Sequence, residues 1–172
     1  MTRFLIAAVL AAACCAALPC SAAGLQTADN APAFKLADQF GKVWELAKLK
    51  NSVVVVVAAN RESGRLMGPW VDNLKGKYGS KIQLLGLMDL HGLAGIFHGM
   101  ARSRIKKETQ DPLMIDFDGA TGKAYEVSDK YPVVVVIDRG GVVRAIGKTA
   151  YTQDTLKPIA EAIDKALKPS GA

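Results

Sequence analysis

The chain has 172 residues, carries 22 Lys and Arg against 16 Asp and Glu for a formal net charge of +6, and is 50% hydrophobic. This length suits one domain with a full hydrophobic core, and the sequence shows no internal repeat. The mildly basic balance comes without an Arg-rich or aromatic-interleaved tract, so nucleic-acid binding is not indicated.

The first 23 residues have the pattern of a cleaved export signal. Arg3 gives a positive start, residues 4–17 form an uncharged apolar run, and Pro19 ends that run. Small residues at 21–23 suit a signal peptidase, so we predict cleavage after Ala23 and a periplasmic or secreted protein. The apolar run is short for a permanent span, although an uncleaved membrane anchor remains the alternative.

All three cysteines, Cys14, Cys15 and Cys20, lie inside this predicted signal peptide. Cys20 follows Pro19, where a lipoprotein signal requires a small residue, so lipid attachment is the less favoured processing route. The predicted mature chain therefore contains no cysteine to form a disulfide or act as a nucleophile. It keeps 21 bases and 16 acids, a net charge of +5.

Hydrophobic periodicity then predicts the elements in chain order. Residues 53–59 form a continuous, mostly β-branched run, typical of a strand buried on both faces. Apolar residues at helical spacing follow in the segment 66–78, and residues 82–88 form a second buried strand. Leu93, Ile96, Phe97 and Met100 are expected to form the buried face of a second helix.

The second half of the chain predicts a short strand, a small helical piece, a hairpin and a final helix. Their predicted ranges are 112–117, 121–126, 133–138 with 142–146, and 152–167. Strands joined through helices pair in parallel by right-handed crossovers, and the hairpin adds antiparallel edges. We therefore predict an α/β fold, a three-layer sandwich with a mixed sheet between helices, over residues 32–168. Residues 24–31 and 169–172 are predicted to be a flexible segment and a flexible tail.

Three segments resemble exported redoxins of the AhpC/TSA and TlpA type within the thioredoxin-like superfamily. Residues 32–42 resemble the entry segment of those proteins, and residues 138–144 resemble their hairpin turn. Tyr131-Pro132-Val133 stands where those folds place a cis-proline, a bond that only X–Pro takes readily. The resemblance implies the thioredoxin-like fold.

The redox centre departs from that family. In redoxins the first central strand ends in Cys-X-X-Cys, followed by a helix interrupted by proline. Counting back from Pro69 places Arg61 and Gly64 at the two cysteine positions. Neither residue can form a thiolate, so disulfide exchange and thiol peroxidase chemistry lose their nucleophile. We expect no catalytic residue of that kind.

Residues 59–67, 103–108 and 122–125 resemble the YtfJ group of periplasmic thioredoxin-like proteins. That group also looks cysteine-poor at the loop after the first central strand. The resemblance implies a fold and a compartment and gives little chemistry.

The loop at 60–65 is the candidate binding site because ligands of open α/β folds collect at the carboxyl ends of strands. Arg61, Ser63, Gly64 and Arg65 lie on this loop, and Pro132 is expected beside it. Free N–H groups with two arginines would also suit a small anion such as phosphate. The alternative is that Asn60 or Ser63 caps the following helix and both arginines are solvated.

Other polar residues carry weaker hypotheses. His91 and His98, with Met88 and Met100, would make a soft copper site only if they converged, and packing of Met100 in the core is favoured. The basic run Arg102, Arg104, Lys106 and Lys107 fits a solvated helix end better than a docking patch. The carboxylates Asp116, Asp118 and Asp138 lie on turns, where Asp bonds its own backbone, and we assign no metal to them.

These observations predict an exported thioredoxin-like protein that lacks Cys-X-X-Cys and binds an envelope protein or peptide without catalysis. No cofactor and no nucleic-acid partner is expected. Two alternatives stay open: a redoxin-type oxidoreductase with a nonstandard site, and a carrier of a metal or small anion.

Overall fold

The computed structural model describes residues 24–168, so the predicted signal peptide and tail lie outside the described residues. A two-stranded antiparallel hairpin comes first, β1 (Lys35–Ala37) and β2 (Val43–Glu45). The central sheet follows with strands β3 (Val54–Asn60), β4 (Gln83–Asp89), β5 (Leu113–Asp116), β6 (Val133–Ile137) and β7 (Val143–Lys148). The helices are α1 (Met67–Tyr78), α2 (His98–Glu108), α3 (Ala120–Ala124) and α4 (Gln153–Leu167).

The central sheet is mixed, with the strand order β5-β4-β3-β6-β7. Strand β3 pairs in parallel with β4 and antiparallel with β6, so it lies at the centre of the sheet. All seven of its residues are buried, because helices or the small hairpin cover both faces. The predicted continuous strand is confirmed within one residue at each end.

Two hydrophobic clusters fill the spaces above and below the sheet. On one face α1 and α4 contribute Trp70, Leu74 and Ile163, each fully buried. On the other face the β1–β2 hairpin and the segment after α3 contribute Trp44 and Tyr125. The predicted α/β fold, a mixed sheet between two outer layers, is therefore confirmed.

Asp138 fixes the turn between β6 and β7. Its Oδ1 accepts hydrogen bonds from the N–H groups of Gly140 and Val142, and its Oδ2 pairs with Arg144 at 2.5 Å. Burial alone would raise the pKa of Asp138, but these hydrogen bonds and the guanidinium hold it below its ordinary value. Gly141 has a φ of 86°, which a glycine adopts without steric cost.

Helix α2 differs from its prediction. The expected buried face is exposed, with Ile96 at 85%, Met100 at 68% and Phe97 at 44% relative exposure. The helix turns the opposite side toward the domain. The ring of His98 stacks on Phe117, with centroids 3.7 Å apart, and Arg102 donates to the Asp38 carbonyl at 2.8 Å. Ala101 and Ile105 are half-buried on this inner side, whereas Met100 of α2 and Ile96 and Phe97 of the turn before it (residues 95–97) face outward.

Residues 24–31, assigned from sequence to a flexible segment, run beside β7. The Ala28 N–H donates to the Val143 carbonyl at 2.8 Å, and the Val143 N–H donates to the Asp29 carbonyl at 2.9 Å. The Leu25 N–H donates to the Glu126 carboxylate at 3.1 Å. The segment thereby covers part of an edge strand whose backbone groups would otherwise face solvent.

Candidate functional site

The fold brings the two parts of the predicted site to one edge of the sheet. Strand β3 ends at Asn60, and the chain then turns through residues 61–66 into α1. Strand β6 runs antiparallel to β3, with Val133 opposite Ala58, so Pro132 lies beside the end of β3. This edge holds the carboxyl ends of the parallel strands, where open α/β folds place their ligands.

The side chain of Asn60 organises the loop. Its Oδ1 accepts hydrogen bonds from the N–H groups of Glu62 at 3.1 Å and Ser63 at 3.0 Å. Its Nδ2 donates to Asp129 Oδ1 at 2.5 Å, which joins the loop to the segment before β6. Sequence reasoning named Asn60 only as an alternative cap and missed Asp129. The signal that could have found this turn is an Asn at the end of a buried strand, since Asn side chains accept hydrogen bonds from N–H groups two or three residues later.

Ser63 is completely buried. Its Oγ lies 2.8 Å from the Ser128 carbonyl and 3.0 Å from Asn60 Oδ1, and it accepts from the Asn60 N–H at 3.3 Å. The hydroxyl has no exposed surface, and its hydrogen bonds go to no titratable base that would activate a nucleophile. The structure therefore places Ser63 in support of the loop rather than in contact with a partner.

The exposed part of the loop consists of charged side chains. Arg61, Glu62 and Arg65 are exposed, whereas Gly64 is half-buried. A Cβ added at Gly64 would lie 3.0 Å from the Met88 methyl carbon, so any side chain there requires Met88 to give way. Because the N–H groups of residues 62 and 63 already donate to Asn60, an anion at this loop would depend mainly on the two guanidinium groups.

Pro132 departs from the family expectation in two ways. No peptide bond among residues 24–168 is cis, so the Tyr131–Pro132 bond is trans and the expected cis-proline is wrong. Pro132 itself is buried, while Tyr131 is half-buried and residues 128–130 are exposed. The surface beside the loop is thus formed by the residues that precede Pro132, because the proline packs inward at the start of the buried strand β6.

A groove with a volume of about 670 Å³ begins beneath the loop at Gly64 and runs between α1 and the edge of the sheet. Half-buried apolar side chains line it, and its rim carries an ion pair between Lys75 and Asp111 at 2.5 Å. The apolar lining includes Val71, Leu84, Met88 and Leu113. An apolar side chain of a bound molecule could be buried here while few polar groups lose their contact with water.

The buried carboxylates near this edge hold the backbone. Asp116 accepts hydrogen bonds from the N–H groups of Asp118, Gly119 and Gly122, which confirms the expected local bonding on a turn. Asp89, its register partner on β4, accepts from the N–H of His91 and pairs with the His91 ring at 2.9 Å. Both oxygens of Asp116 and the Oδ1 of Asp89 are used by these contacts.

The residues of the copper hypothesis do not converge. Met88 packs toward Gly64, His91 contacts Asp89 on the opposite face of the sheet, and Met100 points outward. Within residues 24–168 no group of three or more His, Cys, Asp or Glu side chains is arranged to hold a metal ion. In the same range no helix combines the length and the apolar character needed to cross a bilayer.

Comparison with known proteins identifies the fold. No protein-family model and no curated protein matches the chain. Among solved structures, a protein of Chlorobium tepidum assigned as the thiol:disulfide interchange protein DsbE is 23% identical, with a TM-score of 0.66, over 84% of this chain and 100% of its own. A protein of Bacteroides thetaiotaomicron assigned as a disulfide isomerase is 20% identical, with a TM-score of 0.64, over 84% and 92%.

An exposed lipoprotein thioredoxin of Streptococcus pneumoniae is 19% identical, with a TM-score of 0.61, over 78% of this chain and 99% of its own. The three neighbours agree with the observed mixed sheet, and the chain has the thioredoxin-like fold. At these identities the similarity defines the fold and leaves the chemistry of the site to its own residues.

Proposed function

We propose that this protein is an exported thioredoxin-like module that binds a partner protein or peptide without catalysis. The observation that carries the proposal is the loop at 60–65. It keeps the position of a redoxin active-site loop and is held by partly buried hydrogen bonds to Ser128 and Asp129, yet it has Arg61 and Gly64 where redoxins have cysteine. Because the loop backbone is already fixed, binding orders only its outer side chains, which lowers the entropic cost.

The proposed binding surface, called here the loop surface, comprises the loop 61–65 and the adjoining residues 128–131. Arg61 and Arg65 have exposed guanidinium groups, which bind carboxylates in a planar, bidentate geometry. The apolar groove that begins at Gly64 would accept one hydrophobic side chain of the partner. We therefore expect the partner to be an extended segment with an acidic residue close to an apolar one.

We further propose that the chain acts outside the cytoplasm and is related to the YtfJ-type periplasmic proteins. The N-terminal pattern at residues 1–23 and the resemblance at 59–67, 103–108 and 122–125 support this. Two structural neighbours described as a DsbE protein and an exposed lipoprotein thioredoxin are compatible with that location.

The test is selection of a binding peptide from a phage-displayed library of unstructured peptides, followed by titration of the variants Arg61→Ala and Arg65→Ala. Loss of one hydrogen-bonded charge at the contact should weaken binding about tenfold, or about 1.4 kcal/mol. Lys157→Ala, an exposed base on α4, is the matched control and should leave the affinity unchanged. Undiminished binding by both arginine variants would remove the loop surface from consideration.

A redoxin-type oxidoreductase is the second candidate, favoured by the thiol:disulfide descriptions of the structural neighbours. Such chemistry here would need a thiol supplied by a partner or a nonstandard group, since residues 24–172 contain no cysteine. The chain Gly24–Ala172 should neither reduce insulin nor consume peroxide above the rate without protein. Clear turnover by a preparation verified to lack cysteine would favour the oxidoreductase.

A further inference from the structure

The outer side of α2 and of the turn before it carries exposed apolar residues. Ile96 and Met100 are separated by four positions, so they lie next to each other on one helix face, and both are mostly exposed. Phe97 adds a ring that is 44% exposed. A contiguous apolar group of this kind on a soluble domain marks an interaction site more often than isolated exposed residues do.

The same outer side becomes basic toward the carboxyl end of α2. Arg104 and Lys107 are exposed there, and the segment 96–108 contains four bases but only one acid, Glu108, giving it a net charge of +3. Glu108 is paired with Arg104 at 2.8 Å. The surface thus combines protruding apolar side chains with an excess of positive charge along one helix.

The inner side of α2 fixes this surface to the domain. Arg102 donates to the Asp38 carbonyl and lies 5.4 Å from the Phe117 ring, and Lys106 lies 5.6 Å from the Phe40 ring. The helix contains no buried residue of its own. Ala101 and Ile105 are half-buried on this inner side, so the helix lies on the surface of the domain as a ridge that turns Met100, Arg104 and Lys107 away from it.

This combination favours one kind of partner. Apolar side chains on a convex ridge insert between lipid headgroups, while neighbouring bases contact lipid phosphates, which is the arrangement of interfacial helices. A protein partner would instead need a pocket to receive each protruding side chain. The +5 charge of residues 24–172 acts in the same direction as the local charge.

We propose that residues 95–108 dock the protein on the surface of a bilayer that contains anionic phospholipid. This inference goes beyond the proposed partner-binding function, because it uses α2 and none of the residues of the loop surface. It also explains why Ile96, Phe97 and Met100, which the sequence predicts to be buried, are exposed: they would contact the bilayer.

The experiment is co-sedimentation of the chain Gly24–Ala172, which contains the whole described fold, with phosphatidylcholine vesicles with and without phosphatidylglycerol. We expect sedimentation only with the anionic vesicles, weakening as salt is raised. Arg104→Gln with Lys107→Gln should lower the partition coefficient about tenfold, because each base near an anionic surface contributes about fivefold and Arg104 is partly neutralised. Ile96→Ser with Met100→Ser should lower it by a similar factor.

The matched control is Lys157→Gln with Lys165→Gln, which removes two exposed bases from α4 and should change binding little. Circular dichroism of every variant checks that the fold is retained. Equal loss in the α4 control would assign the binding to net charge and overturn the proposal. Absence of sedimentation with either kind of vesicle would overturn the proposal. Sedimentation that the serine variants leave unchanged and that polyglutamate fully competes would also overturn it, in favour of an acidic polypeptide partner.

Discussion

Replacing Ser63 with alanine separates a structural role of this residue from a binding role. The substitution removes the buried hydroxyl that contacts the Ser128 carbonyl at 2.8 Å and accepts from the Asn60 N–H. A lost buried hydrogen bond costs roughly 0.5–1.5 kcal/mol, and a partner left unsatisfied adds about 1–3 kcal/mol. We expect the free energy of unfolding to fall by about 2 kcal/mol, which lowers the Tm by about 4–8 °C for a domain of this size.

The assay is urea unfolding followed by circular dichroism, with Ser103→Ala as the control. Ser103 is exposed on α2, so its replacement should change stability by less than about 0.5 kcal/mol. A Ser63→Ala protein as stable as the wild type, but unable to bind the selected peptide, would refute the reasoning. It would mean that the hydroxyl reaches a partner despite its complete burial in the free protein.

Two further predictions concern packing and pH. A Cβ added at Gly122 would lie 2.2 Å from the Asp89 carboxylate, so Gly122→Ala should destabilise by about 1–2 kcal/mol. Gly76→Ala, on α1 with nothing within 4 Å, should stabilise by up to about 1 kcal/mol, and urea unfolding showing the same sign for both would contradict the steric argument. The ion pair with Lys148 lowers the pKa of Glu126, so its stabilisation is present above the unfolded-state pKa and is lost as pH falls through the folded-state pKa. Glu126→Gln should therefore cost less than about 1 kcal/mol at neutral pH and nothing in acid, and an equal cost at both pH values would exclude this ion pair as the cause.

Much of the fold could be predicted because local patterns coincide with the packing. The β-branched run that became β3 cannot be solvated without exposing a whole strand of apolar surface, so it must lie at the centre of a sheet. Asp138 and two following glycines specify a turn between β6 and β7 by backbone bonding alone. Thr152 begins α4 with a capping box, close to the predicted start.

Periodicity failed at α2 because it gives the faces of a helix without saying which face the domain covers. The spacing of Ile96 and Met100 does define one face, but the domain offers α2 the ring of Phe117 and the carbonyl of Asp38. His98 and Arg102 meet those groups on the opposite face. The choice between the two faces depends on what lies across the contact, which is information about distant residues.

Some features of the candidate site are likewise set by the sequence, and others only by tertiary contacts. The amino-acid sequence by itself determined that the loop after β3 carries Arg61 and Gly64 instead of cysteine, because the chemistry of a side chain does not depend on its surroundings. Only the tertiary structure decided that Ser63 is buried and that Pro132 packs inward in a trans bond. Those outcomes depend on β6 lying antiparallel beside β3, which brings together residues about 65 positions apart. Side-chain identity is local, whereas burial and hydrogen-bond partners are set by contacts that exist only once the chain has folded.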